Sequence, residues 1–126
     1  MIEFNKVLEF EKPDLIVVVG DVNSMIACAL VAAKLHIEVP RGEAGLRSFD
    51  RQMPEEVNRL LTDAISDHLF VSERSGLVNL EREGIARGKT SFVGNTMIDR
   101  LVYYLPLAGR TTIHKKLAVA SRDTSW

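Results

Sequence analysis

Lys12-Pro13-Asp14-Leu15-Ile16-Val17-Val18-Val19-Gly20-Asp21 is the stretch on which the fold turns. Proline cannot continue a helix, so Pro13 closes off the mixed apolar and charged segment Met1–Glu11, where Phe4, Val7 and Leu8 recur at helical spacing. Leu15–Val19 is short, apolar, rich in β-branched side chains and bounded by breakers. That combination predicts a fully buried strand of the kind found in parallel sheets. Gly20-Asp21 ends it, and Val22–His36 then carries Met25, Ile26, Ala29, Leu30 and Ala33 at helical intervals. Strand, tight turn and helix in that order open an α/β domain.

The same alternation continues downstream. A weaker strand is expected around Glu38–Pro40. Pro54 suits the first position of a helix, where its missing N–H costs nothing, and that helix runs through Val57, Leu60 and Leu61 to about Ile65. His68–Val71 reads as a third strand. Ser72 is a good N-cap for a helix over Glu73–Glu83 that Gly84 closes. Thr90–Val93 reads as a fourth strand, Gly94-Asn95 as its end and Thr96–Leu105 as a further helix. From Pro106 onward the pattern fades. The expected architecture is a Rossmann-like parallel sheet with flanking helices and right-handed crossovers, with ligands bound outside the carboxyl ends of the strands.

Composition narrows the function. Among 126 residues, 16 basic side chains face 17 acidic ones, a balance that gives a polyanion such as nucleic acid nothing to hold. The single cysteine, Cys28, cannot form an internal disulfide and falls in an apolar helical pattern, as a packed reduced thiol would. Met25–Ala33, the longest apolar run, is far shorter than the roughly 20 residues of a membrane span, and the N-terminus lacks a signal-peptide pattern. A soluble, cytoplasmic protein is expected. Gly20–Ser24 lacks the Gly-Lys-Ser/Thr of a phosphate-binding loop, and no Gly-x-Gly-x-x-Gly follows a strand, so neither mononucleotide kinases nor nicotinamide enzymes are indicated. No spacing of His, Cys and acids suggests a metal.

The candidate chemistry lies where strands end. Asp21 follows the first strand, Glu43 the second, Ser72 the third and Asn95 the fourth. Asp21 is read either as the N-cap of the following helix or as a carboxylate aimed at a ligand that Gly20 allows to approach. Glu43, in Gly42-Glu43-Ala44-Gly45, is read either as a solvated loop charge or as a proton carrier in a crowded place. Glu55 and Glu56 are natural first-turn acids that complement a helix dipole. Arg47, Arg51 and Arg59 are placed to pair with them or to bind phosphate. The density of charge between Pro40 and Arg59 exceeds what a simple connection needs.

Four motifs in order then resemble a known family. They are Lys12-Pro13-Asp14 leading into Gly20-Asp21; Glu43-Ala44-Gly45-Leu46-Arg47-Ser48-Phe49-Asp50-Arg51; Met53-Pro54-Glu55-Glu56-Val57-Asn58-Arg59; and Gly94-Asn95-Thr96-Met97-Ile98-Asp99. Together they are similar to the non-hydrolysing UDP-N-acetylglucosamine 2-epimerases, over roughly Phe10–Leu105. The resemblance implies part of one domain of a two-domain, glycosyltransferase-B-like architecture. Residues 1–107 would be a partial N-terminal Rossmann-like domain and 108–126 a poorly defined tail, with the C-terminal nucleotide-binding domain absent.

It also implies interconversion of UDP-GlcNAc and UDP-ManNAc, in surface polysaccharide biosynthesis, without a cofactor. UDP would be eliminated in the anti sense to give a 2-acetamidoglucal, then re-added with C2 inverted. By position, Asp21, Glu43 and Glu55 match the catalytic acids, the base among them being left open, and Arg47 and Asn95 match site-shaping, substrate-binding positions. Relatives usually carry His-Val where this chain has Arg41-Gly42. A hydrolysing epimerase releasing ManNAc and UDP, or a non-catalytic remnant of the fold, are the alternatives. A parallel sheet short of strands exposes an edge and an apolar face, so a homo-oligomer, a dimer in the family, is expected.

Overall fold

The computed structural model of the chain describes residues 1–110. Contacts divide it into a unit over Met1–Gly94 and a second beginning at Asn95. The first unit contains helices α1 (Ile2–Glu11), α2 (Asn23–Lys34), α3 (Pro54–Ile65) and α4 (Arg74–Arg82), and strands β1 (Pro40–Gly42), β2 (His68–Val71) and β3 (Thr90–Phe92). The strands form a parallel sheet in the order β1-β2-β3. Leu15–Val19 extends it on the β1 side through single parallel bridges, Leu15 to Glu38 and Val18 to Arg41. Its N–H groups at Ile16 and Val18 donate to the carbonyls of Glu38 and Pro40, at 2.8 and 2.9 Å.

Register explains the core. Val18, Arg41, Leu69 and Thr90 stand in one row across the sheet. Side chains alternate between faces, so Ile16, Val18, Val39, Leu69 and Val71 share a face. One apolar cluster on it joins Val18 and Val39 to Leu8 of α1 and to Met25, Ala29, Val31 and Ala32 of α2. A second joins Leu69 and Val71 to Ala44 and to Leu80 of α4. Arg41, with its side chain 1% exposed, stands between them in the middle of the row.

The opposite row is open: Leu15, Val17, Val19 and Phe70 are 47, 60, 57 and 37% exposed. The expectation of a fully buried first strand is therefore corrected. Leu15–Val19 is covered on one face only and lies at the sheet's edge.

Helix ends show how local chemistry sets the boundaries. α2 stops in a Schellman motif, with His36 N–H donating to Ala33 O and Ile37 N–H to Ala32 O, and His36 takes the left-handed φ of 59° that glycine usually supplies. α4 ends in the same motif with Gly84 at φ 81°. Two expected caps are not used. Val22, not Asp21, is the N-cap of α2, through extended backbone and no side-chain bond. Ser72 lies one residue too early, since α4 begins after Glu73, which also makes no capping bond.

The largest departure is α3. The apolar residues that mark it in the sequence do not form its buried face: Val57 and Leu61 are 39 and 52% exposed. Its buried residues are Glu56, Asn58, Thr62 and Asp63, all polar. In the second unit, α5 (Thr96–Ala108) is capped by Asn95, whose Oδ1 accepts from the N–H of Met97 at 2.9 Å.

Candidate active site

The carboxyl ends of neighbouring parallel strands place loops side by side. Gly42 N–H donates to Val18 O at 2.9 Å, and Arg41 Nη1 donates to Gly20 O at 2.5 Å. The turn bearing Asp21 and the turn bearing Glu43 are thus neighbours at one rim of the sheet. Asp21 is partly exposed, with Oδ2 3.6 Å from Arg59 Nη1 of α3. Its backbone carbonyl accepts from Asn58 Nδ2 at 2.8 Å, and the same amide donates to Asn23 Oδ1 at 2.9 Å. α3 therefore grips the Asp21 turn by two consecutive side chains.

Glu43 sits in the left-handed region, at φ 58°, and is half-buried. A non-glycine residue there carries strain of the order of 1 kcal/mol, which persists only where the surroundings impose it. The surroundings do: Gly42 N–H is bound to Val18, Ala44 N–H donates to Phe70 O at 3.1 Å, and Gly45 N–H donates to Asp63 Oδ2 at 2.9 Å. Gly45 (φ 79°) abuts Gly76 of α4, where a Cβ built on Gly45 would come within 2.5 Å of the Gly76 carbonyl oxygen. Glycine is required at both positions by close approach of loop and helix.

The Glu55-Glu56 pair divides. Glu56 is 2% exposed and accepts the N–H groups of Ser48 and Phe49, each at 3.0 Å, with Arg59 Nε 3.3 Å away. Burial, the largest single influence, works to raise its pKa, but the Ser48 and Phe49 donors and Arg59 outweigh it and hold the carboxyl below the ordinary carboxylate range. Glu56 ties the loop down onto α3. Glu55, one residue earlier in the same turn, is half-buried and takes no partner among the described residues.

Arg47 has its side chain 1% exposed. Nε and Nη2 form a bidentate pair with Glu83, at 2.7 and 2.6 Å, Nη2 also lies 2.8 Å from Asp63 Oδ2, and Nη1 donates to Leu46 O at 2.8 Å. Burial alone would lower its pKa, and the Glu83 and Asp63 carboxylates more than reverse this. The guanidinium is committed within the protein and shapes the loop from below. Asn95 acts on its own helix, as described above.

Sequence reasoning missed Arg41, Asn58 and Asp63. For Asp63 alone the signal was present: 56, 59, 63 and 66 recur at helical spacing as polar residues, parallel to the apolar set at 57, 60, 61 and 64. Two periodic faces compete on α3, and apolarity selects the wrong one. Among the described residues no group of three or more His, Cys, Asp or Glu is placed to hold a metal ion, and no helix is long and apolar enough to cross a membrane.

Comparison with known proteins gives the family. Residues 1–124 match the family described as UDP-N-acetylglucosamine 2-epimerase. A UDP-N-acetylglucosamine 2-epimerase of Methanocaldococcus jannaschii is 55% identical over 108 residues, which cover 86% of this chain and 30% of the relative. A UDP-2,3-diacetamido-2,3-dideoxy-D-glucuronate 2-epimerase of Pseudomonas aeruginosa is 43% identical over 125 residues, covering 98% of this chain and 34% of that one. Among solved structures, the Methanocaldococcus jannaschii UDP-GlcNAc 2-epimerase in complex with UDP-GlcNAc and UDP superposes with a TM-score of 0.84 at 51% identity, over 92% of this chain and 32% of that chain. The chain thus spans about a third of the length of the relatives it matches.

Proposed function

Because the chain belongs to the UDP-N-acetylglucosamine 2-epimerase family, we propose that it carries the acidic part of a site that inverts C2 of a UDP-linked 2-acetamido sugar, UDP-GlcNAc in the first instance. The supporting observation is the juxtaposition of the Asp21 and Glu43 turns at one sheet rim, with Glu55, which takes no partner among the described residues, at the start of the helix that grips both turns. The C2 proton is weakly acidic, so its removal needs a placed base, and return of a proton to the other face needs a second group. One carboxylate takes the C2 proton as the C1–O bond breaks and UDP leaves, giving the 2-acetamidoglucal. A second delivers a proton to the opposite face of C2 as UDP re-adds to C1. No electrons are exchanged with a cofactor. Arg47 contributes by holding the loop.

In this reading the remaining two thirds of the relatives' length supply most of the hold on the nucleotide. The 126 residues alone then bind the sugar nucleotide weakly and turn it over slowly, because ground-state contacts to UDP are missing. The protein works in the cytoplasm, in surface polysaccharide biosynthesis. The uncovered row Leu15, Val17, Val19 supports self-association. The similarity to the diacetamido-glucuronate epimerase, which extends over nearly the whole chain, favours a second reading in which the substrate is a UDP-linked 2-acetamido sugar modified elsewhere on the ring.

The test is NMR titration of the isotopically labelled chain with millimolar UDP-GlcNAc, beside a coupled assay for UDP-ManNAc. Amide shifts confined to Asp21, Glu43, Glu55 and their neighbours are expected, with turnover far below that of a full-length relative. Shifts elsewhere, or none, refute the site. Free ManNAc with UDP as product would assign the hydrolysing reaction instead.

A further inference from the structure

We propose that Asp63, a residue outside the four motifs, is the positioning residue that sets the placement of both Asp21 and Glu43. The inference rests on the reading of those two acids given above.

Asp63 lies in the third turn of α3 with its side chain 1% exposed. Its two carboxylate oxygens serve three donors. Oδ1 accepts from Arg41 Nε at 3.2 Å, and Oδ2 accepts from the N–H of Gly45 at 2.9 Å and lies 2.8 Å from Arg47 Nη2. Each branch ends beside a candidate acid. Through Arg41, whose Nη1 holds the carbonyl of Gly20, the first branch fixes the residue immediately before Asp21. Through Gly45, the second fixes the turn that keeps Glu43 at φ 58°.

A buried carboxylate gives charge-assisted bonds of defined direction, so moving it moves both turns. Arg41 is central to the first branch, and it is also where the chain departs from the His-Val pattern of the resemblance. Only a side chain with a fork of donors can reach Asp63 by one nitrogen and Gly20 by another. Arg41 belongs to neither of the apolar clusters beside it.

Two variants separate a positioning role from a merely structural one. Asp63→Asn keeps the shape but leaves one acceptor oxygen where three donors had two, so both branches loosen. Arg41→Lys keeps a cation for Asp63 but loses the bond to Gly20, so only the Asp21 branch loosens. Amide exchange and chemical shifts of the 126-residue chain report each branch, while the amides of Ala29 and Ala32 in α2 report that the variant is folded.

For Asp63→Asn we expect exchange at Gly45 at least tenfold faster, with shifts at Asp21, Val22, Glu43 and Ala44. For Arg41→Lys we expect shifts at Asp21 and Val22, with Gly45 exchange unchanged. A folded Asp63→Asn chain with wild-type exchange at Gly45 and unmoved signals at both turns overturns the proposal. If Asp63→Asn does not fold, an Arg41→Lys chain with unmoved Asp21 and Val22 signals overturns it instead. Adding millimolar UDP-GlcNAc to the wild type keeps the two readings apart: no response at Asp21 and Glu43 removes the functional assignment, while the exchange differences between variants still decide the positioning role.

Discussion

Helices α2 and α3 pack side by side in the same unit and are stabilised by opposite means. α2 buries Met25, Ala29, Val31 and Ala32, and nothing about those contacts is directional. α3 buries Glu56, Asn58, Thr62 and Asp63 while Val57 and Leu61 lie largely exposed. Apolar burial scales with area and tolerates small rotations, whereas a hydrogen bond weakens steeply as its angle departs from linear. α2 therefore supplies free energy for the fold, and α3 supplies the placement of the loops above it. The candidate acids Asp21 and Glu43 lie in turns that α3 holds by directed bonds, and Glu55 lies on α3 itself.

The strongest way to break that contrast is Asp63→Ala. It leaves the guanidiniums of Arg41 and Arg47 without their shared buried carboxylate, and removing one partner of a buried ion pair costs about 3–5 kcal/mol. Urea unfolding followed by circular dichroism measures it. A loss below about 1 kcal/mol would mean that the network is not stabilising. Met25→Ala is the matching experiment on α2. Met25 is 7% exposed, and truncation of such a side chain costs about 2–4 kcal/mol through lost transfer energy and a residual cavity. The two should differ in kind as well as size: Met25→Ala leaves the Gly45 amide protected, and Asp63→Ala does not.

The comparison also explains what the sequence could reveal. The strand-turn-helix unit at Leu15–Lys34 is legible because apolar, β-branched and breaker residues all indicate the same element. The positions of Asp21 and Glu43 at strand ends are legible for the same reason, since topology alone puts strand termini on one rim. α3 is legible as a helix but not as to its orientation, because it has two periodic faces and the protein buries the polar one. Glu55 and Glu56 are indistinguishable by composition, and only the inward direction of Glu56 gives it the loop amides of Ser48 and Phe49. Asp63 and Arg41 are 22 residues apart in sequence, one on α3 and the other on β1, and their pairing depends on how that helix packs against that strand, which no local pattern encodes. The one-sided covering of Leu15–Val19 is invisible for the same reason: a strand's own residues do not record what packs on it.

A smaller effect is expected from pH. Glu56 has its folded-state pKa below the ordinary value, so the stability it contributes is fully present above about pH 4.3, the unfolded value, and is lost as pH falls through the lower folded value. Glu56→Gln should cost about 1–3 kcal/mol at pH 7 by weakening charge-assisted bonds to Ser48 and Phe49. The gap between wild type and variant should shrink steadily below about pH 4.3. α2 has no carboxylate in its buried set, so the cost of Met25→Ala should not change over that window. A pH-independent gap for Glu56→Gln would show that the carboxylate's charge is irrelevant to holding the loop.

The smallest effect sharpens the comparison most, because it separates strain kept for packing from strain kept for chemistry. His36 and Glu43 occupy nearly the same left-handed backbone conformation, at φ 59° and 58°. His36 ends α2 in a Schellman motif, a position that glycine fills with less strain. Glu43 lies in the loop bound to α3, between strand end and Gly45. Replacing either by glycine relieves the Cβ conflict, offset in part by the greater freedom of glycine in the unfolded chain, and should raise stability by about 0.5–1 kcal/mol. Thermal and urea unfolding should therefore move alike for His36→Gly and Glu43→Gly. Their ligand responses should not: His36→Gly keeps the amide shifts induced by UDP-GlcNAc at the Asp21 turn, and Glu43→Gly reduces them. Equal loss of response in both variants, or in neither, would mean that the strain at Glu43 serves only the turn.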